Sequence, residues 1–196
     1  MPENEHVPAS RMMTPLRSRT YRRLAFAVRA VLGLALAWLL VTGQVVGFLI
    51  VGLFFALSFA YRLREDRLPN AFDLFVALAA LLNAFGFAFN LYTRLWPYDE
   101  AAHAFTVFSL TLALFFLFYK DQVPERGALA TAVFTFGMAA GALWELVEWT
   151  AGLVLGARVN SGLDDAMTDL LANGAGALVA TFVALAVRSS RRKQPA

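Results

Sequence analysis

A chain of 196 residues that is 59% hydrophobic, with a mean hydropathy of +0.59, is too apolar for a water-soluble domain. It contains no cysteine, which excludes a disulfide framework and a thiolate metal site. The net charge of +3 and the pI near 9.6 do not point to nucleic acid. The basic residues lie in short segments between long apolar runs, where they set the orientation of a membrane protein.

In chain order, residues 1–20 are polar, carry Pro2, Pro8 and Pro15, and are expected to form a mobile cytoplasmic tail. The basic stretch Arg17–Arg23 ahead of an apolar run imitates a signal peptide. No small-residue cleavage site follows, so no cleavable signal is expected. Residues 21–188 are assigned to one transmembrane domain and 189–196 to a basic cytoplasmic tail. Leu24–Ala60 would make a helix of roughly 55 Å, too long for a hydrocarbon core of about 30 Å, so it must fold back. The turn is placed at Thr42-Gly43-Gln44, giving spans at 24–41 and 45–60, followed by Phe72–Tyr92, Ala101–Tyr119, Ala128–Leu155 and Ala166–Val187. The expected fold is all-α: a polytopic membrane protein built as a six-transmembrane-helix bundle with both termini cytoplasmic.

Charge fixes the expected orientation. With the amino terminus inside, the cytoplasmic segments hold Arg11, Arg17, Arg19, Arg22, Arg23, Arg62, Arg64, Arg67, Lys120, Arg126, Arg188, Arg191, Arg192 and Lys193, against Arg94 and Arg158 outside. Trp38, Trp96, Trp144 and Trp149 all fall near the outer interface, as an aromatic belt would. Arg29, inside the first span, is expected to snorkel to the cytoplasmic face. Asn83 and Asn90, seven residues apart, are expected to form an interhelical hydrogen-bonding seam beside Gly86.

Three outer helix ends are acidic. Asp99, His103 and Thr106 follow i, i+4, i+7 spacing on the fourth span. On the fifth, Gly137, Gly141, Glu145, Glu148 and Gly152 fall within roughly 80° of arc. On the sixth, Asp165, Asp169, Asn173, Gly176 and Ala180 do the same. Small residues mark close helix approach in membranes, so these carboxylates are expected to point into the bundle. Two bare charges one turn apart at Glu145 and Glu148 would repel, so either one carboxyl keeps a proton or a cation lies between them. Asp164, Asp165 and Glu100 are equally explained as solvated residues at helix starts.

The order Tyr98-Asp99-x-x-x-His103, Glu145-x-x-Glu148-Trp149 and Asp165-x-x-x-Asp169 with Gly176-Ala177 resembles the YjdF-like family of predicted bacterial inner-membrane proteins. More distantly, Asp99-x-x-x-His103 and Asp169-x-x-x-Asn173-x-x-Gly176 resemble VanZ-like membrane proteins, whose name comes from glycopeptide resistance. The match is best over the last three spans. Glu100 stands where VanZ-like proteins often carry Lys, and Glu148 where they often carry Gln. The resemblance implies a shared site at the outer face of a bacterial inner membrane, without naming its chemistry.

Three functions compete. In an enzyme acting on a lipid-linked or envelope substrate at the outer leaflet, Asp99 and His103 would form an acid–base pair and Asn173 would orient substrate. Glu145, Glu148, Asp165 and Asp169 would then be the candidate ligands of a divalent cation, Mg²⁺ or Mn²⁺ with Zn²⁺ as the alternative. The run Asp164-Asp165-x-x-x-Asp169 also resembles the acidic runs of membrane prenyltransferases, but six spans and outward acids argue against that. A transporter or proton-coupled permease would use the same acids as a relay, yet no inverted repeat or broken-helix pair is visible. A non-catalytic membrane partner would use them to bind a cationic headgroup or protein.

Overall fold

The computed structural model describes residues 15–60, 69–119, 125–155 and 162–192. Arg11, Arg62, Arg64, Arg67, Lys120, Arg158 and Lys193, all used above to orient the chain, lie outside them. Among the described residues all regular structure is helical.

A 3-10 turn at Pro15–Arg17 leads into α1 (Arg19–Val41), so the helix starts inside the segment expected as tail. Ser18 sets the start, its Oγ accepting the Thr20 N–H at 3.2 Å. The helix ends at the expected turn. Gly43 takes a left-handed φ of 71°. The Gln44 and Gly43 N–H groups donate to the Leu39 and Leu40 carbonyls at 2.9 and 3.2 Å, the pairing of a Schellman motif. The chain then reverses into α2 (Val45–Ala60).

Helix α3 (Asn70–Ala88) begins beside the start of α1, because Asn70 Nδ2 donates to the Arg17 and Ser18 carbonyls at 2.7 and 3.1 Å. With both starts at one end of the bundle, α2 runs back between them. α3 stops before the expected Tyr92. Asn90, at φ 55°, adopts the left-handed conformation that asparagine tolerates and ends the helix. A single turn, α4 (Leu91–Arg94), folds the chain back so that the Tyr92 ring covers Gly86, where any Cβ would collide with it. The Tyr92 hydroxyl donates to the backbone and side-chain oxygens of Asn83 at 3.3 and 3.1 Å.

The remaining elements are α5 (Tyr98–Tyr119), α6 (Arg126–Leu155) and α7 (Leu163–Arg192), the last continuing past the expected boundary at 188. Helices α1, α3, α5, α6 and α7 are long and apolar enough to cross a membrane, and α2 is a shorter apolar helix. One core fills the space among α3, α5 and α7, with Phe72, Leu112, Phe116, Ala180 and Ala184 buried and the Phe72 and Phe116 rings 4.6 Å apart. A second joins α1, α2 and α3 through Leu32, Val51, Phe54, Ala80 and Ala84. Large apolar side chains such as Leu34, Leu171 and Phe182 project from the outside of the bundle, the reverse of a water-soluble surface.

Two polar expectations are corrected here. Arg29 does not snorkel. It is 2% exposed and forks onto Asp73, with Nη1 and Nη2 at 3.2 and 2.5 Å from the two carboxylate oxygens. Its Nε and Nη2 also donate to the Ser58 hydroxyl and carbonyl, and its guanidinium lies 4.8 Å from the Phe59 ring centroid. Of the two asparagines, only Asn83 makes the interhelical seam, donating to Thr106 Oγ1 at 2.8 Å, whereas Asn90 is exposed where it terminates α3.

Candidate functional site

The packing of α6 on α7 builds the site. A Cβ on Gly137 would lie 2.6 Å from Ala177 Cβ, and one on Gly141 would lie 2.7 Å from the Asn173 side chain. These steps of four residues run in opposite directions along the two helices, so the next step brings Glu145 level with Asp169. Gly176 admits α5 in the same way, its Cα facing the Ala104 carbonyl with no room for a side chain. Three helices are thereby drawn together at the end where their acids lie.

His103 sits at the centre and is buried. Its Nδ1 faces Glu145 Oε1 at 3.3 Å. Its Nε2 faces Asp99 Oδ1 at 3.4 Å, Asp169 Oδ2 at 3.8 Å and Glu148 Oε2 at 4.0 Å. His103, Glu145, Glu148 and Asp169 are all buried and each offers a ligand atom within 4.8 Å of the others. Asp99, Asp165 and Asp169 form an adjoining group that shares Asp169 and is more open to the outside. Ligands bound to one ion at 2.0–2.6 Å lie at most about 4–5 Å apart, so the inner group has the dimensions of a single-ion site.

Hydrogen bonding leaves the inner group unfinished. Neither carboxylate oxygen of Glu145, nor either amide atom of the fully buried Asn173, completes a hydrogen bond of normal geometry. Glu148 is better served, its Oε1 accepting the Trp144 Nε1–H at 2.8 Å. Against four carboxyl groups the cluster holds one imidazole, so with all four ionised even a charged His103 would leave the site negative. Arg94 is exposed on α4, outside the cluster.

The structure therefore gathers Asp99, His103, Glu145, Glu148 and Asp169, places Asp165 in the adjoining group, and sets Asn173 one turn deeper on α7. Glu100 and Asp164 are outside both groups. Thr106 continues the α5 stripe into the Asn83 hydrogen bond. Trp144 is turned inward, onto Glu148 and against Phe54 at 5.8 Å, instead of lying in a belt. Its spacing four residues before Glu148 was the available signal. Tyr92, beyond the end of α3, also escaped the sequence reading. Burial pushes its phenol well above the ordinary value, the Asp99 carboxylate adds to the shift, and it remains a hydroxyl donor to Asn83.

Long apolar helices around a buried histidine–carboxylate cluster define the class, a polytopic helical membrane protein. The family described as "Predicted membrane protein (DUF2238)" matches residues 21–190, and the chain belongs to it. A Thermotoga maritima protein described as uncharacterized is 28% identical over 117 residues, a stretch covering 56% of this chain and 59% of that protein. The chain thus matches less than two thirds of that relative's length. No solved structure matches the chain.

Proposed function

We propose that this protein spans a bacterial inner membrane six times with both termini cytoplasmic, and that its cluster is a divalent-cation centre at the outer face. The ion would be used for hydrolysis or group transfer on a lipid-linked or envelope substrate. The six-span count is supported by the shared position of the α1 and α3 starts, which requires α2 to cross despite its 16 residues. A helix of about 24 Å can do so where the bilayer thins locally. The fourteen-to-two charge bias supports the orientation.

The observation that carries the metal reading is the buried, under-bonded group of one imidazole and three carboxylates within 4.8 Å. Desolvated like charges at that spacing are tolerated when something positive joins them. The two ring nitrogens divide the labour. Glu145, 3.3 Å from Nδ1, would accept its proton and so turn the Nε2 lone pair to the ion, as carboxylates do behind metal-binding histidines. His103 Nε2, Glu148 and Asp169 then hold the ion, and one nitrogen with several oxygens suits Mn²⁺, Zn²⁺ or Mg²⁺. The ion would polarise a phosphoryl or carbonyl oxygen. Asp99, partly exposed and 3.4 Å from Nε2, would accept the proton of an attacking water or hydroxyl.

Elemental analysis of the purified protein, with and without chelator, tests this. Stoichiometric metal that is lost from Glu148→Gln and whose removal lowers the melting temperature is the expected result. Absence of Mg²⁺, Mn²⁺, Zn²⁺ and Ca²⁺, together with chelator-insensitive melting, refutes it and leaves a proton-sharing structural network.

A further inference from the structure

A cavity of about 300 Å³ lies between α5 and α6, with His103 at one end and Asn173 on its inner wall, against Gly141. It extends along α5 from His103 to Leu110 and along α6 from Ala140 to Val147, seven residues on each helix, or roughly 10 Å. Its volume is at the lower end of the range for ligand pockets. Leu110, Leu143 and Val147 line it and are also 39%, 63% and 55% exposed on the outside of the bundle, so the slot opens sideways. It does not open only through the helix ends.

The polar atoms along its wall differ in one respect. Asn83 is bonded to Thr106, and the Trp144 N–H to Glu148. Asn173 alone among these presents both a buried donor and a buried acceptor that complete no hydrogen bond of normal geometry, Glu145 being its carboxylate neighbour. A slot whose other polar lining groups, Asn83 and Trp144, are already hydrogen-bonded, and which carries one under-bonded amide on its inner wall, is matched by a hydrocarbon chain ending in an ester or phosphate oxygen. At this depth of a bilayer the hydrocarbon everywhere at hand is an acyl chain.

We infer that the slot between α5 and α6 is a lateral binding site for one acyl chain of a membrane lipid, whose first polar oxygen is held by Asn173 at the edge of the His103 cluster. The acyl site needs only the membrane setting. Its connection to chemistry rests on the metal-centre reading, and the two are measured separately.

The full chain is reconstituted in phosphatidylethanolamine–phosphatidylglycerol vesicles doped with a phospholipid bearing a photoactivatable diazirine on its acyl chain. Crosslinks are mapped by mass spectrometry. Labelling of Leu110, Ala140, Leu143 and Val147 should exceed that of Leu34 and Leu171 several-fold, although those two are 71% and 75% exposed and away from the slot. Ala140→Phe, which fills the slot, and Leu143→Trp, a change at its tolerant outer mouth, should each remove the excess while leaving bound metal unchanged. Labelling that simply follows exposure, or that survives both substitutions, overturns the inference. Competition by an isoprenyl phosphate but not by unlabelled phospholipid would overturn the acyl assignment. Absence of metal from the wild type and chelator-insensitive melting, with slot labelling intact, would refute the metal reading alone.

Discussion

Removing Asp73 while leaving Arg29 in place should be the most destabilising single change outside the cluster. Arg29 directs two of its nitrogens at Asp73 and its other contacts at Ser58, all in the buried interior of α1, α2 and α3. Breaking a buried pair by deleting one partner costs about 3–5 kcal/mol, because the surviving charge has no partner. A lone arginine in a span costs about 2.5–3.5 kcal/mol on insertion scales, which is the same order. At about 2–4 °C per kcal/mol for a chain of this size, Asp73→Ala should lower the melting temperature in detergent by on the order of 10 °C, followed by tryptophan fluorescence. Replacing both partners by leucine removes the uncompensated charge and should recover most of that loss. Arg29→Lys should fall between, since lysine cannot fork across both carboxylate oxygens. If Arg29 instead reached the headgroups, Asp73→Ala would be nearly silent and the double variant would equal the sum of the singles. That result would refute the buried-pair argument.

Further expectations separate the other claims. Glu145→Gln should weaken metal binding about 10–100-fold, because glutamine still accepts from Nδ1–H, whereas Glu148→Gln should abolish it; equal effects in titrations would contradict the division of roles. Gly176→Ala forces a Cβ against the Ala104 carbonyl and should cost about 1–3 kcal/mol and some metal affinity, while Gly127→Ala, with open space around it, should cost nothing in the same melting assay. Tyr92→Phe removes the hydroxyl that reaches Asn83 and should cost about 1 kcal/mol, read as a lower melting temperature. Reporter fusions at Arg67, Lys120 and Arg192 should read cytoplasmic and those at Trp96 and Asn160 external; a cytoplasmic Asn160 breaks the six-span arrangement.

What was legible beforehand was whatever depends on spacing along one helix. Glu145 and Glu148 could be placed on the glycine face of α6, and Asp169 and Asn173 on that of α7, because periodicity is local. Azimuth relative to other helices is not local. Hydropathy assigns Trp144 a depth along its span, but depth does not say whether an indole faces lipid or a neighbouring helix. Asp73 went unnoticed because an acid in the first turn of a helix already has an ordinary explanation in the helix dipole. Only the fold carries it to Arg29, 44 residues away. The third helix ends short of Tyr92 although Leu91-Tyr92 continues the apolar run; hydropathy does not register the left-handed turn that Asn90 permits.

The glycines also decide how the cluster should be understood. The contacts that set α6 against α7 are Gly137 with Ala177 and Gly141 with Asn173, and these fix the height at which Glu145 meets Asp169. The acids are brought together by backbone packing, not by any attraction of their own. Two full charges 4.8 Å apart repel by about 3 kcal/mol at an effective dielectric of 20, and the inner group contains three such pairs. Trp144 relieves Glu148 with one hydrogen bond, and His103 can neutralise at most one acid. On the metal reading proposed above, packing imposed from below would build a cation site before any ion arrives, which is preorganisation in the sense that matters for binding. Loosening the glycine contacts should therefore lower cation affinity even when every ligand is kept.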